Sequence, residues 1–133
     1  MKNIWVSGSV NSGKTTTSKI LGKELKMAVI ELDSFSEFVL NFMEFENYVK
    51  LNFELFSEIV EMYNKRNIGV IIVYALGEKT YTEIKDKVRN FKIFSIDPGL
   101  ENALSDRGDR KLSDWERERV QYHYDQNIHD TKF

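Results

Sequence analysis

Apolar residues along the chain fall into compact runs separated by stretches with helical periodicity. Ile4-Trp5-Val6, Met27 to Leu32, Ile68 to Tyr74 and Phe91 to Ile96 are short and rich in β-branched and aromatic residues, which predicts strands over 3–6, 27–32, 68–74 and 91–96. Lys14 to Leu25 carries Ile20, Leu21 and Leu25 without a proline and reads as a helix. Ser34 to Ile68 contains neither glycine nor proline, and Phe35, Phe38, Phe42 and Phe45 recur at helical spacing. As a single rod this segment would be about 50 Å long at 1.5 Å per residue, so a break is predicted near Asn47 to Asn52, giving two helices. Further helices are predicted over 79–90 and 114–127, the second opened by Ser113-Asp114-Trp115-Glu116, which has the capping-box pattern S-x-x-E. Strands alternating with helices predict an α/β fold, a parallel sheet of four strands with helices on both faces.

The turn after the first strand carries the chemistry. Gly8-Ser9-Val10-Asn11-Ser12-Gly13-Lys14-Thr15 matches the phosphate-binding pattern G-x-x-x-x-G-K-[ST], and it joins a strand to a helix as that pattern requires. Polyphosphate is held by many converging dipoles. Gly8 and Gly13 can adopt positive φ and present no Cβ, so successive N–H groups, including those of Ser9, Asn11 and Ser12, turn inward at a helix N-terminus. Lys14 is placed to reach the β- and γ-phosphates, Thr15 to ligate Mg²⁺, and Thr16 to touch the α-phosphate. ATP and Mg²⁺ are the cofactors this loop predicts.

Composition narrows the class. The chain has 133 residues, 41% of them hydrophobic and 30% charged, with one proline and no cysteine, as expected of one cytoplasmic globular domain without disulfides or thiolate metal sites. No apolar run reaches the 18 residues or more that a membrane-spanning helix needs, and Met1-Lys2 leads straight into the first strand without a signal sequence. A net charge of −2 argues against general nucleic-acid binding.

Two further segments carry candidate chemistry. Glu31-Leu32-Asp33 ends the second strand, and side-chain alternation predicts both carboxylates on one side at the sheet edge where open α/β folds bind ligands. Asp33 is a candidate general base or ligand for a substrate hydroxyl; the competing reading is that Asp33-Ser34 caps the next helix. Ser105-Asp106-Arg107-Gly108-Asp109-Arg110-Lys111-Leu112 reads as a mobile loop. Arg107 and Arg110 are candidates to stabilise charge on a transferring phosphoryl group, against the alternative of a solvated loop with internal ion pairs. Arg117 and Arg119 follow on a helix beside Glu116 and Glu118, where pairing at i to i+3 or i+4 explains them.

These features together make the chain resemble the small P-loop kinases over most of its length. Asp33-Ser34 is similar to the pair in the chloramphenicol phosphotransferase type, and the E-x-D spacing is similar to the D-x-D of shikimate kinase. Arg107-x-x-Arg110 resembles the lid of these and of adenylylsulfate kinases. The resemblance implies a three-layer P-loop NTPase fold in which Lys14 and Thr15 hold ATP and magnesium, Asp33 handles the acceptor hydroxyl, and Arg107 and Arg110 close over the phosphates from a lid at 105–112. It implies transfer of the γ-phosphoryl group to a small molecule or nucleotide. The alternatives are a polynucleotide 5′-hydroxyl acceptor, or a nucleotide-binding module without useful turnover.

The chain departs from the pattern in two ways. The third strand ends in Val70-Ile71-Ile72-Val73-Tyr74 without the aspartate that many P-loop proteins direct at magnesium. The sequence stops at Phe133, where the resemblance implies a fifth strand and a closing helix; a partner chain, such as a second copy in a homodimer, would cover the exposed edge. Eight of the 17 aromatic residues lie between Phe35 and Tyr63, and helical spacing predicts that most are core, with Tyr48 and Tyr74 offering polar tips to an acceptor pocket. His123 and His129 are six apart, which does not place both on one helical face, so a shared metal site is not expected.

Overall fold

A computed structural model of the chain describes residues 2–105, 111–126 and 128. Four parallel strands, β1 (Asn3–Gly8), β2 (Ala28–Glu31), β3 (Val70–Val73) and β4 (Phe91–Ile96), form one sheet in the order β2-β3-β1-β4. Among the described residues, α1 (Lys14–Leu25), α2 (Phe45–Lys65) and α3 (Glu78–Ile84) connect successive strands, and α4 (Leu100–Leu104) and α5 (Asp114–Asp125) follow the last one. With helices on both faces, the expected three-layer α/β architecture is present.

Alternation along the strands divides the core between the two faces. Trp5, Val70 and Ile72 face one side, where they meet Phe53, Phe56 and Val60 of α2 and Ile84 at the end of α3. Val6, Ile71 and Val73 face the other, against Leu21 of α1. The central strands β1 and β3 are buried on both faces, as continuous apolar runs in parallel sheets are. Register Ile4↔Ile71 and Trp5↔Ile72 sets Val6 opposite Val73 at the end of β3, and β1 runs on past it to Gly8, from which the Gly8–Thr15 loop leaves. Trp5 anchors the larger face: its ring is fully buried, meets Phe56 edge-on at 5.4 Å, and donates from Nε1 to the Tyr74 carbonyl at 3.0 Å.

The segment after β2 differs from expectation. It begins as a 3-10 helix, Leu32–Phe38, continues through turns, and becomes one unbroken helix α2 from Phe45. The break therefore falls before Phe45, and Asn47 to Asn52 is helical. Asn52 is turned inward, with Nδ2 donating to Ser36 Oγ at 2.8 Å, which ties the helix to the 3-10 turn instead of interrupting it. The shift alters the fate of the phenylalanines: Phe35 packs on the core, whereas Phe38, Phe42 and Phe45 are 80%, 75% and 65% exposed. Their regular spacing spans a turn instead of one helix, so it aligns no common buried face.

Smaller differences follow the same logic. The helix expected over 79–90 ends at Ile84 and gives way to turns; α4, not expected from sequence, occupies the region after Pro98-Gly99. Helix α1 has the bounds expected, and α5 is opened by the full capping box: Glu116 N–H donates to Ser113 Oγ at 3.1 Å and Ser113 N–H to Glu116 Oε1 at 3.2 Å. Among the described residues, no helix is long and apolar enough to cross a membrane.

Candidate functional site

The Gly8–Thr15 loop is shaped by three left-handed or glycine-only conformations. Gly13 has φ +90° and Asn11 +61°, while Gly8 has φ +155°, where an added Cβ would lie 2.5 Å from Ser12 Oγ and 2.9 Å from the Ile96 carbonyl. Only glycine fits there without displacing backbone. The loop delivers the chain into the N-terminus of α1, whose first N–H groups and dipole favour an anion. Lys14 lies back across the loop, with Nζ donating to the Ser9 carbonyl at 3.0 Å.

A cleft of about 270 Å³ opens beside the loop, lined by Lys14, Thr15, Glu31, Asp33, Ser34, Glu37 and Val73. Thr15 Oγ1 donates to Glu31 Oε1 at 2.5 Å, so the carboxylate in contact with the loop hydroxyl comes from the end of β2. The end of β3, where an aspartate was missed in the sequence, contributes only Val73 to the wall. Of the two carboxylates expected at the end of β2, it is Glu31 that meets the Thr15 hydroxyl.

Asp33 reaches the same cleft by a different route from strand alternation. It lies in the first turn of the 3-10 helix, beyond the end of β2, and the turn brings it alongside Glu31. The capping reading does not hold, because this helix has no side-chain cap; Ser34 Oγ instead donates to the Glu31 carbonyl at 2.6 Å. Burial raises the Asp33 pKa above its ordinary 3.8, the Lys14 ammonium opposes that rise, Glu31 adds to it, and Arg119 opposes it. Tyr74, at the end of β3, is pushed up to about 12 by burial and then by the Asp33 charge, so its hydroxyl keeps its proton at neutral pH.

Helix α5 supplies residues that the sequence explained by helix pairing. Arg117 donates to the Leu104 carbonyl and ties α5 to α4. Arg119 lies over the Tyr122 ring at 4.7 Å and against His123 at 3.3 Å, close enough to the cleft to act on both Asp33 and Tyr74. His123 is buried, and its Nδ1 accepts the Val10 N–H at 3.1 Å. No spacing signal announces either residue, because what makes them part of the site is the packing of a helix more than a hundred positions away in sequence. Arg107 and Arg110 of the expected lid lie outside the described residues, as does His129. Thr16 is exposed on the first turn of α1.

The donor set suits a magnesium-bound polyphosphate: an ammonium, a hydroxyl, backbone N–H groups at a helix start, and a carboxylate bonded to that hydroxyl. A larger hollow of about 400 Å³ lies at the other end of the sheet, lined among others by Asn3, Asn64 and Phe91. Its amides are occupied structurally: Asn3 and Asn64 bond each other at 2.9 and 3.0 Å and hold the Val70 N–H and the Ile68 carbonyl. Among the described residues, no cluster of three or more His, Cys, Asp or Glu is arranged to hold a metal by itself.

No family model matches the chain, and no curated protein matches it. A solved structure, that of a Pnkp1/Rnl/Hen1 RNA repair complex, contains a chain similar in fold, with a TM-score of 0.72 and 16% sequence identity. The similarity covers 99% of this chain and 46% of that one, so this chain spans about half the length of its structural neighbour. At that identity the likeness is one of fold.

Proposed function

We propose that the chain is an ATP- and Mg²⁺-dependent phosphotransferase that moves the γ-phosphoryl group to a hydroxyl acceptor. The observation that carries the reading is the convergence of Lys14, the Thr15–Glu31 pair and Asp33 on one cleft at the C-terminal end of a parallel sheet. The loop N–H groups and Lys14 would hold the β- and γ-phosphates, and Thr15 would ligate Mg²⁺ while Glu31 orients that hydroxyl or a metal-bound water. Bound magnesium neutralises charge on the phosphate oxygens. Asp33 would accept the proton of the acceptor hydroxyl, and its raised pKa moves it toward neutrality, where a general base is more effective. Arg119, whose charge acts on Asp33, would add positive charge beside the transferring group.

A polynucleotide 5′-hydroxyl is the second reading, favoured by the neighbour from an RNA repair complex and by the exposed Phe38, Phe42 and Phe45, which continue the chain from the cleft wall at Glu37 and offer faces for base stacking. Glu31, Asp33 and Glu37 in the wall disfavour a polyanion, which keeps the small-molecule acceptor first. ADP release should be measured with ATP and Mg²⁺ against a panel of nucleosides, sugars, antibiotics and 5′-hydroxyl oligonucleotides, with Lys14→Ala as the blank. Stimulation by an acceptor, lost in the blank, is the expected result. Nucleotide binding that no acceptor converts into turnover would replace the enzyme reading with that of a binding module.

A further inference from the structure

Three consecutive residues at the crest of the Gly8–Thr15 loop are held from different sides. Lys14 Nζ bonds the Ser9 carbonyl from within. Asn11, in the left-handed region at φ +61°, donates from Nδ2 to the carbonyls of Ala103 and Ser105, both at 3.0 Å, at the end of α4. Between them, Val10 directs its N–H outward to His123 Nδ1 of α5. The clamp is itself anchored: Arg117 joins α5 to α4, and the Tyr124 hydroxyl donates to Asp97 Oδ1 at 2.6 Å beyond the end of β4.

We propose that His123 is a positioning residue for the loop: by accepting the Val10 N–H it holds the crest open in the shape that receives phosphate, and so sets nucleotide affinity without touching the nucleotide. The affinity part of this rests on the phosphotransferase reading; the loop part does not. For Nδ1 to accept, the neutral ring must carry its proton on Nε2. Arg119 Nη2 lies 3.3 Å from Nε2 and is a donor as well, so it competes with the Val10 N–H at 3.1 Å for the neutral ring's single acceptor nitrogen, while its charge opposes a second proton on the ring. The charged groups that act on the imidazole are Arg119 from its own helix and Lys14 from α1; both are cationic, and together with burial they lower its pKa from 6.5 to about 4, burial being the largest cause. The ring therefore stays a neutral acceptor through the physiological range and fails as one only in acid.

The test compares His123→Leu, which keeps volume and removes the acceptor, with His123→Asn, whose Oδ1 can take the place of Nδ1. In nucleotide-free protein, amide exchange over residues 8–13 should rise about tenfold or more in His123→Leu, and ADP with Mg²⁺ should bind about tenfold more weakly; His123→Asn should stay within about threefold of wild type on both. Wild-type loop protection should fall as pH approaches 4, and that of His123→Asn should not. Nitrogen NMR of the wild-type imidazole provides a check that needs no variant: the Nε2–H tautomer is expected, and an Nδ1–H tautomer overturns the proposal. Equal loop exchange in His123→Leu and wild type also overturns it. Failure of wild-type protein to bind ADP would defeat the functional reading instead, leaving the exchange comparison to decide the loop role.

Discussion

At the residue scale, the cleft places two carboxylates, Glu31 and Asp33, near one lysine, and the proposed function gives each a different role. Asp33 has a pKa above its ordinary 3.8, raised first by desolvation, although the residue is exposed at the cleft. The sign is that of a raised carboxylate: its contribution to stability is present below pH 3.8 and lost as pH rises through the folded pKa. Because Asp33 is exposed, solvent screening keeps this contribution small. Asp33→Asn is expected to lose about 10²-fold or more of acceptor-dependent turnover with nucleotide binding largely kept, read by ADP release and nucleotide titration on the same preparation. Equal activity in that variant would remove Asp33 as base. Glu31 acts through the Thr15 hydroxyl at 2.5 Å. Glu31→Gln should raise the Mg²⁺ concentration for half-maximal turnover about tenfold or more, with the ATP requirement at saturating metal changed less.

Elements supply the rigidity that this geometry needs. The aromatic face of α2 packs edge-on into the sheet, with Phe56 at 5.4 Å from Trp5 and 6.3 Å from both Phe53 and Phe91. Phe56 is fully buried, so Phe56→Ala should cost about 3–5 kcal/mol, measured by urea unfolding with Trp5 emission as the probe. At the other end of the chain, Ser113→Ala removes the cap of α5 and should cost about 1 kcal/mol. Because α5 carries both Arg119 and His123, the same substitution is expected to loosen the loop crest, visible as faster amide exchange at Val10 and Asn11. Helix α5 was legible in the sequence through its capping box; its placement against the loop was not, since Val10 and His123 meet through a hydrogen bond between residues 113 positions apart.

At the scale of the whole molecule, acid is the condition that most directly tests the arrangement. His123 has a folded pKa of about 4 against 6.5 unfolded, so between those values the unfolded chain takes up a proton that the folded chain refuses. Stability is complete above about pH 6.5 and falls as pH drops toward 4. His123→Asn should show a shallower decline over that window in denaturant midpoints taken at successive pH values.

Periodicity, glycine placement and one capping motif were enough to determine the α/β class, the four strands, the ends of α1 and the place of the Gly8–Thr15 loop between β1 and α1. These are local matters: alternation decides which strand residues are buried, and a positive φ at Gly13 depends on the residue itself. Tertiary structure alone decided that α2 begins at Phe45, that Phe38 and Phe42 stay exposed, that Glu31 rather than a β3 aspartate meets Thr15, and that Arg119 and His123 belong to the site. Each of those depends on which surfaces meet once the sheet order β2-β3-β1-β4 is set. A one-dimensional pattern records how often a side chain recurs, while a site depends on which distant backbone it finally touches.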